Sequence, residues 1–228
     1  MPLKERTGNM YSWITHTWNP IRGKCEFDCK YCYVKKWGEI GHIHIEEAEL
    51  RVDLGEGNYI FVCSGCDLFA PSVPDEWIEK VMYKTRFHPG NKYLWHTKNP
   101  ARVLPYIFSE RDMLCVTIES DQFYPKISNA PAPWARFDAL EVWKKPYMLT
   151  IEPVLDFDVS KFLGRISLAG IPVQVNIGAD SCWKRLPEPS PEKLNELIGW
   201  LESRTKVHLK KNLRRILPEH RLYGGENG

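Results

Sequence analysis

No apolar run in this chain approaches the ~20 residues a bilayer-spanning helix needs, and its opening, Met-Pro-Leu-Lys-Glu-Arg, has no apolar stretch of the kind a secretory leader carries. Both absences predict a cytoplasmic protein with no membrane partner. Charge of one sign is also scarce. The 31 Lys and Arg against 29 Asp and Glu leave a net charge of +2, so no global field demands a nucleic-acid partner. Neither a Gly-x-Ser-x-Gly elbow nor a phosphate loop is present, which leaves nucleophilic hydrolysis without support. There is no internal repeat, low-complexity tract or linker-like change of composition. The 228 residues therefore read as one domain, 1–228, with 1–10 and 223–228 as flexible ends.

What is present out of pattern is cysteine. Seven residues, an odd number, do not make a disulfide framework in a long chain without a leader. Three of them, Cys25, Cys29 and Cys32, form a Cys-x-x-x-Cys-x-x-Cys run in a short polar loop, where thiolates can converge on one inorganic centre. A closed structural site takes four protein ligands, so three with no near fourth leave one metal position open. The residues alone leave three readings: an iron–sulfur centre with an open position, a zinc knuckle completed by a distant cysteine or histidine, and buried thiols. His16, His42, His44 and His96 are the histidines available to a zinc site, although Ile43 and Ile45 alternate with the middle pair as on an exposed strand edge or loop. A second pair, Cys63 and Cys66 in Cys-Ser-Gly-Cys, suits a redox dithiol, a second metal or a hydrogen-atom donor, with Cys66 the candidate catalytic residue. Packing as a small hydrophobe is the plain alternative for Cys63.

Around these thiols the hydrophobic pattern alternates between strand and helix. Strands are predicted over 11–18, 59–63, 92–96, 113–118, 147–151, 173–177 and 207–209. Helices are predicted over 74–86, from 99, and over 133–143, 160–168 and 190–203, several opened by proline or an acid. Such alternation favours a parallel sheet joined by right-handed crossovers. Six or seven units in this length predict an α/β fold of partial-barrel type rather than a closed eightfold barrel. In such folds the site lies just beyond the C-terminal ends of the strands, where the residues here are polar and small. Ser64-Gly65-Cys66-Asp67, Thr97-Lys98-Asn99, Glu119-Ser120-Asp121, Glu152-Pro153 and Gly178-Ala179-Asp180-Ser181 recur in that position.

The thiol spacing, with Tyr31 just before the third cysteine, resembles the radical S-adenosylmethionine superfamily. Trp13-Ile14-Thr15-His16-Thr17-Trp18-Asn19-Pro20, Phe61-Val62, Ser64, Asp67-Leu68-Phe69, Thr97-Lys98-Asn99-Pro100, Val116-Thr117-Ile118-Glu119 and Ile151-Glu152-Pro153 narrow the likeness. Together they resemble a phage- and prokaryote-borne family of unassigned reaction with a photolyase-like label. The resemblance implies a partial (β/α)6-type barrel in which Cys25, Cys29 and Cys32 hold a 4Fe–4S cluster. One electron from that cluster would cleave S-adenosylmethionine to a 5′-deoxyadenosyl radical. It also implies a reducing flavodoxin- or ferredoxin-like electron donor, and a nucleotide or nucleic acid as substrate.

By the same resemblance the backbone from Ser64 through Gly65 to Asp67 receives the methionyl amino group and Lys98 pairs with the carboxylate. Thr117, Glu119 and Ser120 meet the ribose, Gly178 lets backbone lie against the adenine, Glu152 is a further cofactor contact, and Tyr31 packs beside cluster and adenine. Two departures are visible. Lys24 stands where glycine is expected before the first cysteine, and the carboxylate after the sixth strand is Asp180. Trp183, Phe123, Tyr124 and Trp134 sit in loops on the open side, where they suit stacking on a planar substrate as well as lid packing. A late basic run with Lys210, Lys211, Arg214 and Arg215 suits a solvated face or a phosphate contact.

Overall fold

The computed structural model describes residues 3–7, 11–182 and 184–218. Trp183, half of the expected flexible start and the whole expected tail lie outside the described residues. The elements, in chain order, are β1 (Lys4–Glu5), β2 (His16–Trp18), β3 (Ile21–Arg22), β4 (His44–Ile45), α1 (Glu47–Leu50), β5 (Tyr59–Val62), α2 (Asp75–Arg86), β6 (Lys92–Thr97), β7 (Asp112–Thr117), α3 (Pro133–Trp143), β8 (Tyr147–Ile151), α4 (Val159–Leu168), β9 (Gln174–Ile177), α5 (Pro191–Glu202) and β10 (Lys206–Leu209).

Eight strands form one sheet in the order β1-β2-β5-β6-β7-β8-β9-β10. Every neighbouring pair from β2 to β10 is parallel; β1 alone is antiparallel, pairing Lys4 with Thr17 and Glu5 with His16. This is the expected α/β partial barrel. Strands covered on both faces need no polar alternation, and accordingly all of β8 and β9 is buried. The two faces of the strands belong to different cores. Ile60, Val62, Trp95, Leu114, Val116, Leu149 and Ile151 pack outward with Ile78, Phe137, Phe162 and Leu197 of the helices. Phe61, Leu94, Cys115 and Met148 point the other way, into the barrel.

The helix starts follow their local chemistry. Pro191 opens α5 behind Ser190, whose side chain accepts from the Lys193 amide, and Asp158 accepts from the Lys161 amide at the start of α4. Three expectations differ from the structure. The first strand is short because residues 11–14 turn inward, with the Ile14 amide on the Tyr11 carbonyl at 3.1 Å. Tyr11 and Ile14 plug the barrel, while Trp13 stacks on Tyr11 and meets His208 edge-on. The helix expected from residue 99 is a single 3-10 turn, Pro100–Val103, since Pro105 lacks the amide a continuation needs. The opening residues, expected to fray, supply β1. The His42–Ile45 alternation belongs to a strand edge as expected, with β4 paired to β3.

Candidate functional site

The loop from Gly23 to Cys32 leaves the sheet just past the C-terminal end of β2. Its entry needs glycine: Gly23 has φ 107°, and a Cβ there would lie 2.3 Å from the His42 carbonyl oxygen. The lysine before Cys25 is therefore accommodated because the glycine sits one place earlier. Asp28 takes φ 43°, a conformation Asp tolerates better than most, and ion-pairs with Lys35 at 2.7 Å. The far side of the loop is tied to residues 127–129, with the Lys30 amide on the Ile127 carbonyl and the Asn129 amide on the Phe27 carbonyl, both at 2.8 Å.

Cys25, Cys29 and Cys32 all line the mouth of a cavity of about 880 Å³ that runs from this loop into the barrel. All seven cysteines are free. No group of three or more His, Cys, Asp or Glu side chains among the described residues gathers at one ion-sized point; the three thiols share the cavity lining. Cys29 Sγ lies 3.1 Å from Ser128 Oγ. A hydrogen bond from Cys66 pulls the Cys25 thiol down, and the same contact, together with burial, pushes Cys66 far up. Burial raises Cys32, with Cys29 and Cys25 adding to it. Cys66 is thus brought against a member of the thiol triad, whereas Cys63 is packed away and its thiol pushed up to about 12 by burial.

Behind the thiols, two carboxylates, the half-buried Asp67 and the buried Glu119, fix the strand ends. Asp67 accepts from the Phe69 amide at 2.9 Å, Thr97 Oγ1 at 2.8 Å and the Lys98 amide at 2.8 Å. Glu119 accepts from Arg136 Nη1 at 2.7 Å and from the Tyr31 hydroxyl, with Lys98 Nζ 3.8 Å away. Burial would push Glu119 up, but Arg136, Lys98 and Tyr31 outweigh it and hold the acid below its usual range. Burial likewise pulls Lys98 down, and the nearby Cys29 and Glu119 more than reverse that. Lys98 therefore stays charged, 5.5 Å over the Tyr31 ring. The remaining strand-end loop, Ser64-Gly65, hangs on Asn19 Oδ1 at 3.1 and 3.2 Å and on the Tyr33 hydroxyl, 2.5 Å from the Ser64 carbonyl.

The inner cavity wall carries Tyr11, His96, Thr117, Thr150, Glu152 and Lys210. Lys210 Nζ sits 2.7 Å from Glu152 Oε2 and 5.0 Å over the Tyr11 ring. His96 shares a 2.6 Å hydrogen bond with Thr117 Oγ1 and is held neutral, its pKa lowered to about 3 by burial and the nearby lysines.

Of the residues singled out from the sequence, the three thiols, Tyr31, Ser64, Gly65, Cys66, Asp67, Lys98, Thr117 and Glu152 share this cavity. Glu119 and Ser120 do not. They face a second cavity of about 20 Å³ behind Tyr31, and Ser120 Oγ is spent on the Asp156 carbonyl at 2.6 Å. Gly178 also lies outside the lining; the space beside it is filled by Glu152, whose carboxyl carbon would stand 2.8 Å from any Cβ there. Sequence reasoning missed Arg136 and Tyr11. The signal for Arg136 was a lone cation among Phe137, Ala139 and Leu140 on a helix that otherwise buries that side. For Tyr11 there was none.

The fold and site define an α/β partial barrel with a thiol-ringed cavity at the C-terminal ends of its strands. Among solved structures it is similar to three forms of spore photoproduct lyase. One is a mutant with bound AdoMet and dinucleoside spore photoproduct (TM-score 0.58, 9% identity, 92% of this chain and 67% of that one). The second is a complex with dinucleoside spore photoproduct (TM-score 0.56, 8%, 88% and 64%), and the third is a cysteine-to-serine mutant (TM-score 0.56, 11%, 90% and 66%). The chain thus spans about two thirds of the length of these relatives, and the likeness is one of fold. No curated protein matches the sequence. The chain belongs to the family described as "Protein of unknown function (DUF5131)", whose model matches residues 9–157.

Proposed function

We propose that this chain is a radical S-adenosylmethionine enzyme, with Cys25, Cys29 and Cys32 holding a 4Fe–4S cluster at the cavity mouth and the cavity receiving S-adenosylmethionine and substrate. The observation that carries the reading is the placement of the three thiols. They stand on one loop at the mouth of an 880 Å³ cavity, in a fold shared with a lyase structure that has AdoMet bound. The donor set fits the group: three soft thiols on a loop that itself offers no fourth, with charged, half-buried Lys98 beside Cys29 to balance anionic sulfur. Bound there, cluster and S-adenosylmethionine would supply one-electron reductive cleavage of the sulfonium and so a 5′-deoxyadenosyl radical for hydrogen abstraction.

The chain's own residues do the positioning. Glu119 grips Tyr31 and with it the backbone between Cys29 and Cys32, while Asp67 holds the end of β6 at Thr97 and Lys98. Glu152, Lys210 and Thr117 present donors and acceptors from the inner wall. A nucleotide or nucleic acid is the substrate class we favour, supported by the dinucleoside carried by the lyase structures and by analogy of fold. The electron comes from an external flavodoxin- or ferredoxin-like donor.

The test is anaerobic purification and reconstitution, with iron, sulfide and visible absorption measured first. Dithionite and S-adenosylmethionine are then added and 5′-deoxyadenosine is followed by chromatography. Wild type is expected to bind close to four irons and form 5′-deoxyadenosine, and Cys29→Ala to lose both. Zinc without iron after reconstitution would sink the cluster, and an intact cluster with no binding of S-adenosylmethionine would sink the enzyme.

A further inference from the structure

Two pairs of exposed aromatic rings stand near the thiol loop, one in the lining of the large cavity and the other at the small cavity behind Tyr31. On one side Tyr33 and Trp37 are 45% and 69% exposed, with ring centroids 5.4 Å apart at 78°. Trp37 stands over the strand-end loop, 3.9 Å from where a Gly65 Cβ would be. On the other side Phe123 and Trp134 are 44% and 47% exposed, also 5.4 Å apart, at 68°. The thiol loop and residues 127–129, hydrogen-bonded to each other, connect the two pairs: Tyr31 of the loop lines both the large cavity of Tyr33 and Trp37 and the small one of Phe123 and Ile127. Large rings left in water on both sides of the thiol loop's neighbourhood gain nothing for the core. They serve something that covers them.

Charge is concentrated on the same face. Residues 21–38 contain Arg22, Lys24, Lys30, Lys35 and Lys36 against Glu26 and Asp28, a net +3 (5 − 2), while the whole chain carries +2, so the other 210 residues sum to −1. Lys35 is largely spent on Asp28, and Lys36 Nζ reaches the Ser181 carbonyl at 3.3 Å. Lys24, Lys30 and, from the neighbouring loop, Lys126 are exposed. Cations interleaved with unstacked aromatic faces match a single nucleic-acid strand: phosphates meet the lysines and bases stack on the rings. Duplex bases are already stacked on one another and have no face to offer.

We propose that this face is a platform for single-stranded nucleic acid, laid across the cavity mouth from Trp37 to Trp134, so that the substrate of the chemistry above is a polymer and not a free nucleotide. The inference rests on that reading for the purpose of the platform, but its test needs no cofactor. Fluorescence anisotropy with end-labelled 20-mers of deoxythymidylate and of uridylate, titrated with the purified full chain at several salt concentrations, reads affinity and salt slope for DNA and RNA separately.

Binding of at least one 20-mer is expected, with Trp37→Ala and Trp134→Ala each weakening it roughly tenfold and Trp37→Phe restoring most of the loss. Lys24→Ala, Lys30→Ala and Lys126→Ala should each lower the slope of log K against log salt by about 0.7 where that lysine meets a phosphate. Tyr83 and Phe87 form an equally exposed pair on α2, 59% and 62% exposed with centroids 4.9 Å apart, and Tyr83→Ala should leave affinity unchanged. Absence of binding at low salt overturns the platform. So does binding that ignores both tryptophans, or that Tyr83→Ala weakens equally. Capture of an acidic redox protein that needs the lysines but not the tryptophans, with no oligonucleotide bound, assigns the face to that partner instead. Formation of 5′-deoxyadenosine without oligonucleotide binding sinks this inference alone, and binding without formation sinks only the radical reading.

Discussion

Asp67, half-buried, and Glu119, buried, are acids at the ends of parallel strands, one on each side of Lys98, and they are held by opposite means. Asp67 is surrounded by neutral donors, two amides and a hydroxyl. Burial dominates there and raises its pKa despite those bonds and Lys98. Glu119 faces a guanidinium, an ammonium and a phenol, and the same burial loses. The comparison teaches that depth alone does not set the charge of a buried acid; the formal charge of its partners does. It also separates two jobs. Asp67 shapes one loop junction, between β5 and β6. Glu119 joins three segments, the thiol loop through Tyr31, β6 through Lys98 and α3 through Arg136.

The comparison breaks most visibly where an ion pair is cut. Glu119→Ala leaves Arg136, only 3% exposed, buried without its carboxylate, and a loss of about 3–5 kcal/mol in urea unfolding is expected. Replacing both partners with apolar residues, Glu119→Leu with Arg136→Met, should recover most of that loss; failure to recover would show that the network does more than satisfy its own charges. Tyr31→Phe removes one hydrogen bond to a charged group and should cost about 1.5–3 kcal/mol, accompanied by faster hydrogen exchange in residues 25–32. Unchanged exchange would mean that the thiol loop is held by its contacts with residues 127–129 alone. Asp67→Asn keeps the shape but turns part of the acceptor into a donor, and about 1 kcal/mol is expected from the bonds it spoils.

How much of this was legible in the sequence follows the range of the signals. The strands from β5 to β10 could be read because their apolar runs and cap residues are local, as at Ser190-Pro191 before α5. The gathering of three thiols on one loop could be read because their spacing is local too. The plug at Tyr11 to Ile14 was not readable: alternating aromatics obey the strand period, and only the packing of Tyr11 against Thr150, 139 residues on, at 2.9 Å turns the segment inward. Glu119 was read as a ligand contact because a polar residue after a strand is the same whether it faces a cavity or a buried arginine. Arg136 decides, and it arrives from the next helix. Lys210 had appeared only as part of a basic run, while its ion pair with Glu152 depends on the parallel pairing of β9 with both β8 and β10.

The smallest expected effect separates the two acids by the sign of their pH dependence. Glu119 has a folded pKa below its usual 4.5, so the stability it contributes is complete above 4.5 and is lost as pH falls through the lower folded value. Asp67 has a folded pKa above its usual 3.8, so its contribution is complete below 3.8 and is lost as pH rises through the raised folded value. Stability measured by urea unfolding from pH 3 to 7 in wild type, Glu119→Gln and Asp67→Asn should therefore diverge in opposite directions. The gap between wild type and Glu119→Gln should widen with rising pH until it levels off above 4.5, while the gap between wild type and Asp67→Asn narrows across the acid range. His96 adds its own background to all three, since a folded pKa of about 3 against 6.5 makes its contribution fade as pH falls from 6.5, and it cancels in the differences. Gaps that move in the same direction for both acids would mean that burial, and not the charge of the partner, governs this site.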